Sequence, residues 1–370
     1  MPPSLHLSLR DECGSTRAIP NKNGRKPPEV PGEALSWERL GCGLVFGIGL
    51  FVLLVWPAQA PVVIGFCLVS AVYPIWCAWR GARRTALRPS VSWSALALLL
   101  ALGAQLAAFF EPFEGGKPIA GHWVYLAALA TLAALVSVLN ARNPGSGAWA
   151  ILMALLVLVF LIPWLGGPGL ARKAHGLERL QLESPWNYFY LLLLITGITN
   201  YLPTRFGPAA LVLGSGLACE YLALTRPEIR VSHGSWLWSL FPWTLALSAW
   251  GALCCELRPG GSTQSTLERT WFWLRDHWGV VWGLRLQERF NQSAKRLGWP
   301  IRLGWFGLTS AEGSDQASME PPATADSVLR GLLRRFADEG RINEATTGSL
   351  ANSGPVRDDD EVAEPIEKLK

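Results

Sequence analysis

Residues 91–110 read VSWSALALLLALGAQLAAFF, twenty positions without one Asp, Glu, Lys or Arg. As a helix rising about 1.5 Å per residue, the stretch spans about 30 Å, the depth of a bilayer's hydrocarbon core. Its apolar residues leave no polar face to turn toward water, so it reads as a membrane span. The same pattern recurs on both sides of it. Leu40–Trp56 and Pro61–Trp79 precede it, and His122–Leu139 and Ala148–Leu165 follow. Asn187–Leu202, Pro208–Leu224 and Ser235–Glu256 complete the set. The expectation is an all-α polytopic membrane bundle of about eight transmembrane helices over residues 37–257. Trp56, Trp79, Trp123, Trp164, Trp186, Tyr201 and Trp236 stand at span ends, where rings with one polar edge meet the headgroups.

Composition agrees. Of 370 residues, 50% are apolar and only 16% are charged, against about a quarter in soluble domains. This excludes an ordinary soluble enzyme and a disulfide-knit secreted domain. The charge is unevenly spread. Residues 1–310 carry 26 basic and 15 acidic side chains, and residues 311–370 carry 7 and 13. Basic residues near span ends mark the cytoplasmic side. Arg39, Arg80, Arg83, Arg84, Arg88, Arg142 and Arg205 fall on one predicted side, together with five basic residues of the N-terminal tail. Lys117, Arg172, Lys173, Arg179, Arg226 and Arg230 fall on the other. The majority places both termini in the cytoplasm. The basic excess is read as topology, and no nucleic-acid partner is expected. A preference for Arg over Lys, beside abundant Ala, Leu and Gly, points to a GC-rich bacterial genome and hence to an inner membrane.

The flanks read differently. Residues 1–36 are polar and proline-bearing, a disordered cytoplasmic tail without the apolar core of a cleavable signal. Residues 258–308 form a juxtamembrane Trp-rich amphipathic segment. Leu267, Trp271, Leu274, Trp278 and Val281 fall on one helical face, with arginines elsewhere. Such a helix suits the headgroup boundary, with Trp271, Trp278 and Trp282 as interfacial anchors and anionic lipid as a contact. Residues 309–370 read as a mostly disordered cytoplasmic tail. Within it Leu329, Leu332, Leu333 and Phe336 mark a short amphipathic helix near 324–342, suited to a partner or to anionic lipid.

Small residues four apart mark helix seams in lipid, where close backbone approach replaces the hydrophobic drive. Gly43 and Gly47, Ala97 and Ala101, Ala130 and Ala134, and Ala210, Gly214 and Ala218 have this spacing. Glycines 197, 214 and 216 interrupt the sixth and seventh spans, so that 187–224 reads as a broken hairpin that either crosses twice or dips. The seven cysteines form no C-x-x-C and read as packing residues.

Catalytic signatures are missing: there is no P-loop, no His-Glu-x-x-His and no Gly-x-Ser-x-Gly. No cofactor is called for. Polar residues at depth are functional candidates by default, which singles out Glu220, Asn200 and Gln105. Glu220 either serves a membrane site or reaches outward to Arg226 or Arg230. His122, His175 and His233 fall on the predicted outer side and are the candidate metal or haem ligands. Three functions follow. The first is a non-catalytic subunit or assembly factor of an inner-membrane complex, with a membrane-protein partner beside the lipid bilayer. The second is a small-molecule transporter or channel using the 187–224 hairpin. The third is a membrane enzyme or haem or metal handler using the outer histidines.

Overall fold

A computed structural model describes residues 34–56, 59–114, 120–140, 155–162, 182–226, 236–257, 265–310 and 322–347. The described chain is predominantly helical. Helices α1 (Ala34–Val55), α2 (Ala60–Ser70), α3 (Val72–Ala82), α4 (Arg88–Glu114) and α5 (Ala120–Ser137) come first. A short α6 covers 155–162. Helices α7 (Trp186–Thr199), α8 (Gly207–Thr225) and α9 (Trp236–Glu256) complete a first body. A second body holds α10 (Thr266–Arg296), strands β1 (Ile301–Gly304) and β2 (Gly307–Ser310), α11 (Ala323–Leu333) and α12 (Glu339–Thr347).

Four helical stretches among the described residues are long and apolar enough to cross a membrane: Ala60–Ala82, Arg88–Phe110, Ala120–Ser137 and Gly207–Thr225. Leu40–Val52 and Trp186–Thr199 are shorter apolar helices. The core of this body combines alanines with large residues such as Leu68, Tyr125, Tyr190 and Phe241. Ala97, Ala101, Ala104, Ala127, Ala128 and Ala133 are buried, while Leu54, Phe66, Leu99, Leu106 and Leu192 face outward. Small interior residues let the helices approach closely, and large apolar ones meet the surroundings.

The glycines of the 187–224 hairpin do not break its helices. α7 and α8 run on through them, and each glycine is a point of close approach. Gly197 lies against Leu135 of α5, Gly214 against Ile198 of α7, and Gly216 against Thr244 and Phe241 of α9. The seam on α1 also differs from the expected one. Gly43 and Gly47 have no neighbour within 4 Å of a side-chain position among the described residues, whereas Gly41 packs on Trp250 and Gly49 on Trp243, whose indole N–H donates to the Val45 carbonyl at 3.0 Å. Two tryptophans of α9 need those gaps, and they set the rotation of α1.

The second body departs further from expectation. α10 starts at a capping box: Ser265 Oγ accepts from the Glu268 N–H, and the Glu268 carboxylate accepts from the Ser265 N–H, both at 3.2 Å. After α10 the chain turns back as a hairpin. Gly304 pairs with Gly307 across a two-residue Trp305–Phe306 loop, and Gly307 has φ +126°. Asn291 latches the β1 edge, accepting from the Leu303 N–H at 2.7 Å and donating to its carbonyl at 2.9 Å. Glu268 takes the Leu308 N–H of β2 at 3.1 Å. The apolar stripe near 324–342 is two helices, and it folds on α10 of its own chain. Leu329, Leu333, Phe336 and Ile342 are buried in one core with Leu267, Trp271, Leu274 and Trp278. The tryptophan face of α10 is thus turned onto protein, because α11 and the hairpin supply an apolar partner that the amphipathic pattern of α10 alone does not reveal.

Candidate functional site

The second body is keyed to one end of the helical body through three loops. The first joins α3 to α4. Thr85 pairs with Ala337 as an antiparallel bridge, and the Ala86 N–H donates to the Phe336 carbonyl at 2.8 Å. The second is the end of α5, where the Val138 carbonyl accepts from the Trp282 indole N–H at 3.1 Å. The third is the turn 200–206 between α7 and α8, and it builds the densest polar cluster of the described structure.

That cluster forms around a break in α10. Gly279 has φ +74° and ψ −168°, so the helix is two segments meeting at a kink. A break exposes backbone groups that need partners. Asn200 supplies them. Its backbone carbonyl accepts from the Val280 N–H at 2.9 Å, and its side-chain oxygen accepts from the Val281 N–H at 3.1 Å. Its amide nitrogen donates to the Trp278 carbonyl at 3.4 Å. A side chain on residue 279 would overlap Asn200 and demand an unfavourable φ at once.

Beside the break lies Asp276, 5% exposed, between two arginines. Arg275 places Nε at 2.9 Å and Nη2 at 2.7 Å from Asp276 Oδ1. Arg205 places Nε at 3.4 Å from Oδ2, and its N–H donates to Oδ1 at 3.4 Å. Arg275 also donates to the Trp305 carbonyl at 2.9 Å, and Trp305 donates to the Pro203 carbonyl at 3.2 Å. Tyr201 donates to the His277 carbonyl at 3.3 Å. Asp276 and His277 are neighbours in sequence and do not pair. His277 Nε2 faces Glu256 Oε1 at 3.4 Å, and its Nδ1 faces the Trp273 carbonyl at 2.8 Å. Every charged group here is engaged by protein. The arrangement holds two bodies together and presents no nucleophile beside a base.

The three polar candidates do not meet. Asn200 sits in the 200–206 turn at the second body. Glu220 lies thirteen residues beyond the start of α8, about 20 Å along the helix from that turn. Its side chain is fully buried, and Arg230 lies outside the described residues. Tyr190 stacks on Tyr221, the neighbour of Glu220, at 5.7 Å between centroids. Tyr190 donates to the Leu217 carbonyl at 3.3 Å, and Tyr125 donates to the Phe160 carbonyl at 2.7 Å. Gln105 is buried on α4, against Gly65 of α2. Helices α5, α7 and α8 thus enclose a glutamate–tyrosine cluster far from the second body.

Of the histidine set, His122 lies in the first turn of α5, and His175 and His233 lie outside the described residues. Among the described residues no group of three or more His, Cys, Asp or Glu side chains is placed to hold a metal ion. No disulfide joins the described cysteines. Trp271 and Trp278, read as headgroup anchors, are fully buried, and Trp282 is 7% exposed. Their rings fill the second core: Trp271 stands edge-on to Trp305, and Trp278 and Trp282 edge-on to Phe336.

Sequence reasoning missed the roles of Gly279, Arg205 and Arg275. The kink had one available signal, a glycine interrupting a 31-residue helix. No family model matches the chain, and no curated protein or solved structure is detectably similar to it.

Proposed function

We propose that this chain is a multi-pass protein of a bacterial inner membrane, crossing about eight times with both termini in the cytoplasm, and that it serves as a non-catalytic subunit or assembly factor of a membrane complex. The observation that carries this reading is the keyed joint. Loops 83–87, 138–140 and 200–206 all engage one folded body, so they share one end of the bundle. Arg80, Arg83, Arg84, Arg88 and Arg205 lie at that end, which supports a cytoplasmic assignment. An apolar bundle bearing a rigid water-facing platform is equipped to hold partners on both surfaces. Its charged joint is consumed by structure, which argues against catalysis there. Mild-detergent purification followed by native mass spectrometry is expected to recover a stable membrane-protein partner. Recovery of this chain alone, with no partner trapped by in-cell crosslinking, would remove the reading. Phosphatase and fluorescent-protein fusions at each terminus test the orientation; periplasmic activity at either end contradicts it.

A second reading, a transporter or channel using the 187–224 hairpin, draws support from Glu220. Buried carboxylates in apolar bundles are costly and often mark ion or proton pathways. Carbodiimide labelling followed by peptide mapping tests it. The expectation is modification at Glu220 that slows when a transported solute is present; a residue inert under all conditions counts against a pathway.

A further inference from the structure

Between α10 and α11 the second body carries a groove of about 450 Å³. Trp282, Leu286 and Phe336 floor it, and Arg285, Arg289 and Arg335 rim it. Arg285 and Arg289 are one helical turn apart on α10, and Arg335 faces them from the end of α11. Four of the ten described arginines of this body pair with carboxylates: Arg275 with Asp276, Arg330 with Asp326, Arg334 with Glu339, Arg341 with Glu344. The three at the groove have no acidic partner among the described residues. Glu288 is the one carboxylate among the lining residues, and Gln292 engages it at 3.2 Å. Arg285 stacks over the Trp282 ring at 5.1 Å, an arrangement that holds its guanidinium in place.

The groove also has a position. Its floor residues are the ones that tie the second body to the bundle. Trp282 bonds to Val138 at the end of α5, and Phe336 bonds to Ala86 just before α4. Two ends of apolar helices therefore lie against its floor, and Arg88 and Arg80 stack on Trp79 and Trp76 nearby in sequence. Three convergent guanidiniums over a rigid aromatic floor match the oxygens of a phosphate group, which takes paired N–H donors.

We propose that this groove binds the phosphate of an anionic lipid headgroup from the leaflet that faces the second body. Arg289 and Arg335 grip the phosphate from the two helices, and Arg285 adds the third charge. Bound lipid would then staple α11 to α10 at the membrane surface. The inference rests on the membrane reading above, and the two fail separately. A chain that leaves the membrane without detergent defeats the first, whereas a membrane-retained chain that ignores anionic lipid defeats only the second.

The test uses the full chain in phosphatidylcholine nanodiscs with and without phosphatidylglycerol, read by native mass spectrometry and thermal melting. Wild type is expected to retain phosphatidylglycerol and to melt higher with it. The combined variant Arg285→Gln, Arg289→Gln, Arg335→Gln is expected to lose retention by about tenfold or more, since each basic group near an anionic surface adds several-fold in affinity. Arg334→Gln, at a paired arginine outside the groove, should leave retention unchanged. If the triple variant fails to fold, Arg289→Gln and Arg335→Gln singly replace it, since both alter exposed side chains. Equal retention by wild type and variants overturns the proposal. Binding of inorganic pyrophosphate in neutral nanodiscs, lost in the variants, without lipid retention, overturns the lipid source and assigns the groove to a soluble phosphate. Binding of neither overturns it entirely.

Discussion

The two bodies of this protein differ in what covers their surfaces. The helical body buries alanines together with Leu68, Tyr125, Tyr190 and Phe241, and further leucines, phenylalanines and valines cover its outside; Phe66 is 72% exposed and Leu54 74%. In the second body tryptophans and phenylalanines fill the interior, and arginines and glutamates cover the outside. Among its described large apolar residues only Leu284, Leu297 and Phe306 are exposed. A soluble surface rarely carries a contiguous apolar patch above a few hundred Å². Exposed large apolar side chains recur on α1 to α8 of the first body, and the second has three. The contrast means that one chain meets two solvents, and that tryptophan has two jobs. At the ends of the first body it marks a boundary, and in the second it builds a core.

The contrast can be broken most sharply at the second core. Trp278→Ala removes a fully buried indole and is expected to cost about 3–5 kcal/mol, read as a lost or lowered melting transition of the second body. If the unfolding profile hardly changes, the core is not what holds that body. Next in size is Asp276→Ala, which leaves Arg205 and Arg275 without their shared counter-charge at a buried joint. Removing one partner of such a pair costs about 3 kcal/mol or more, which should expose the 200–206 turn to limited proteolysis. Unchanged cleavage would mean that the joint depends on the loops alone. Gly279→Ala combines an unfavourable φ with overlap on Asn200 and is expected to cost about 1–3 kcal/mol, visible as faster hydrogen exchange at Val280 and Val281. The smallest effect belongs to the outer face of the first body. Phe66→Ala discards an aromatic ring yet should move stability by less than about 0.5 kcal/mol, because the ring touches the surroundings and not the core. A large loss there would show that the girdle is a protein interface.

Several features were legible before any fold was known. The long apolar runs predict helices at 91–110 and 208–224, and helices stand there. Ala97, Ala101, Ala130 and Ala134 are buried, as their spacing implied. The Gly43–Gly47 pair has the same spacing and finds no close neighbour among the described residues, because the choice between the two glycine faces of α1 rests with the α9 tryptophans. Glu220 was visible as an isolated acid, yet its direction depended on how α7 and α8 pack. The Asp276 joint was invisible, since Arg205 lies 71 residues away.

What the sequence alone determines here is a matter of solvent. Apolar length and the absence of charge are properties of a segment, and they decide which stretches become helices that avoid water. What only the tertiary structure decides is which face of α10 is covered and by what. An amphipathic stripe reports that a helix needs an apolar partner. It carries no information on whether that partner is lipid or a helix fifty residues further along the chain.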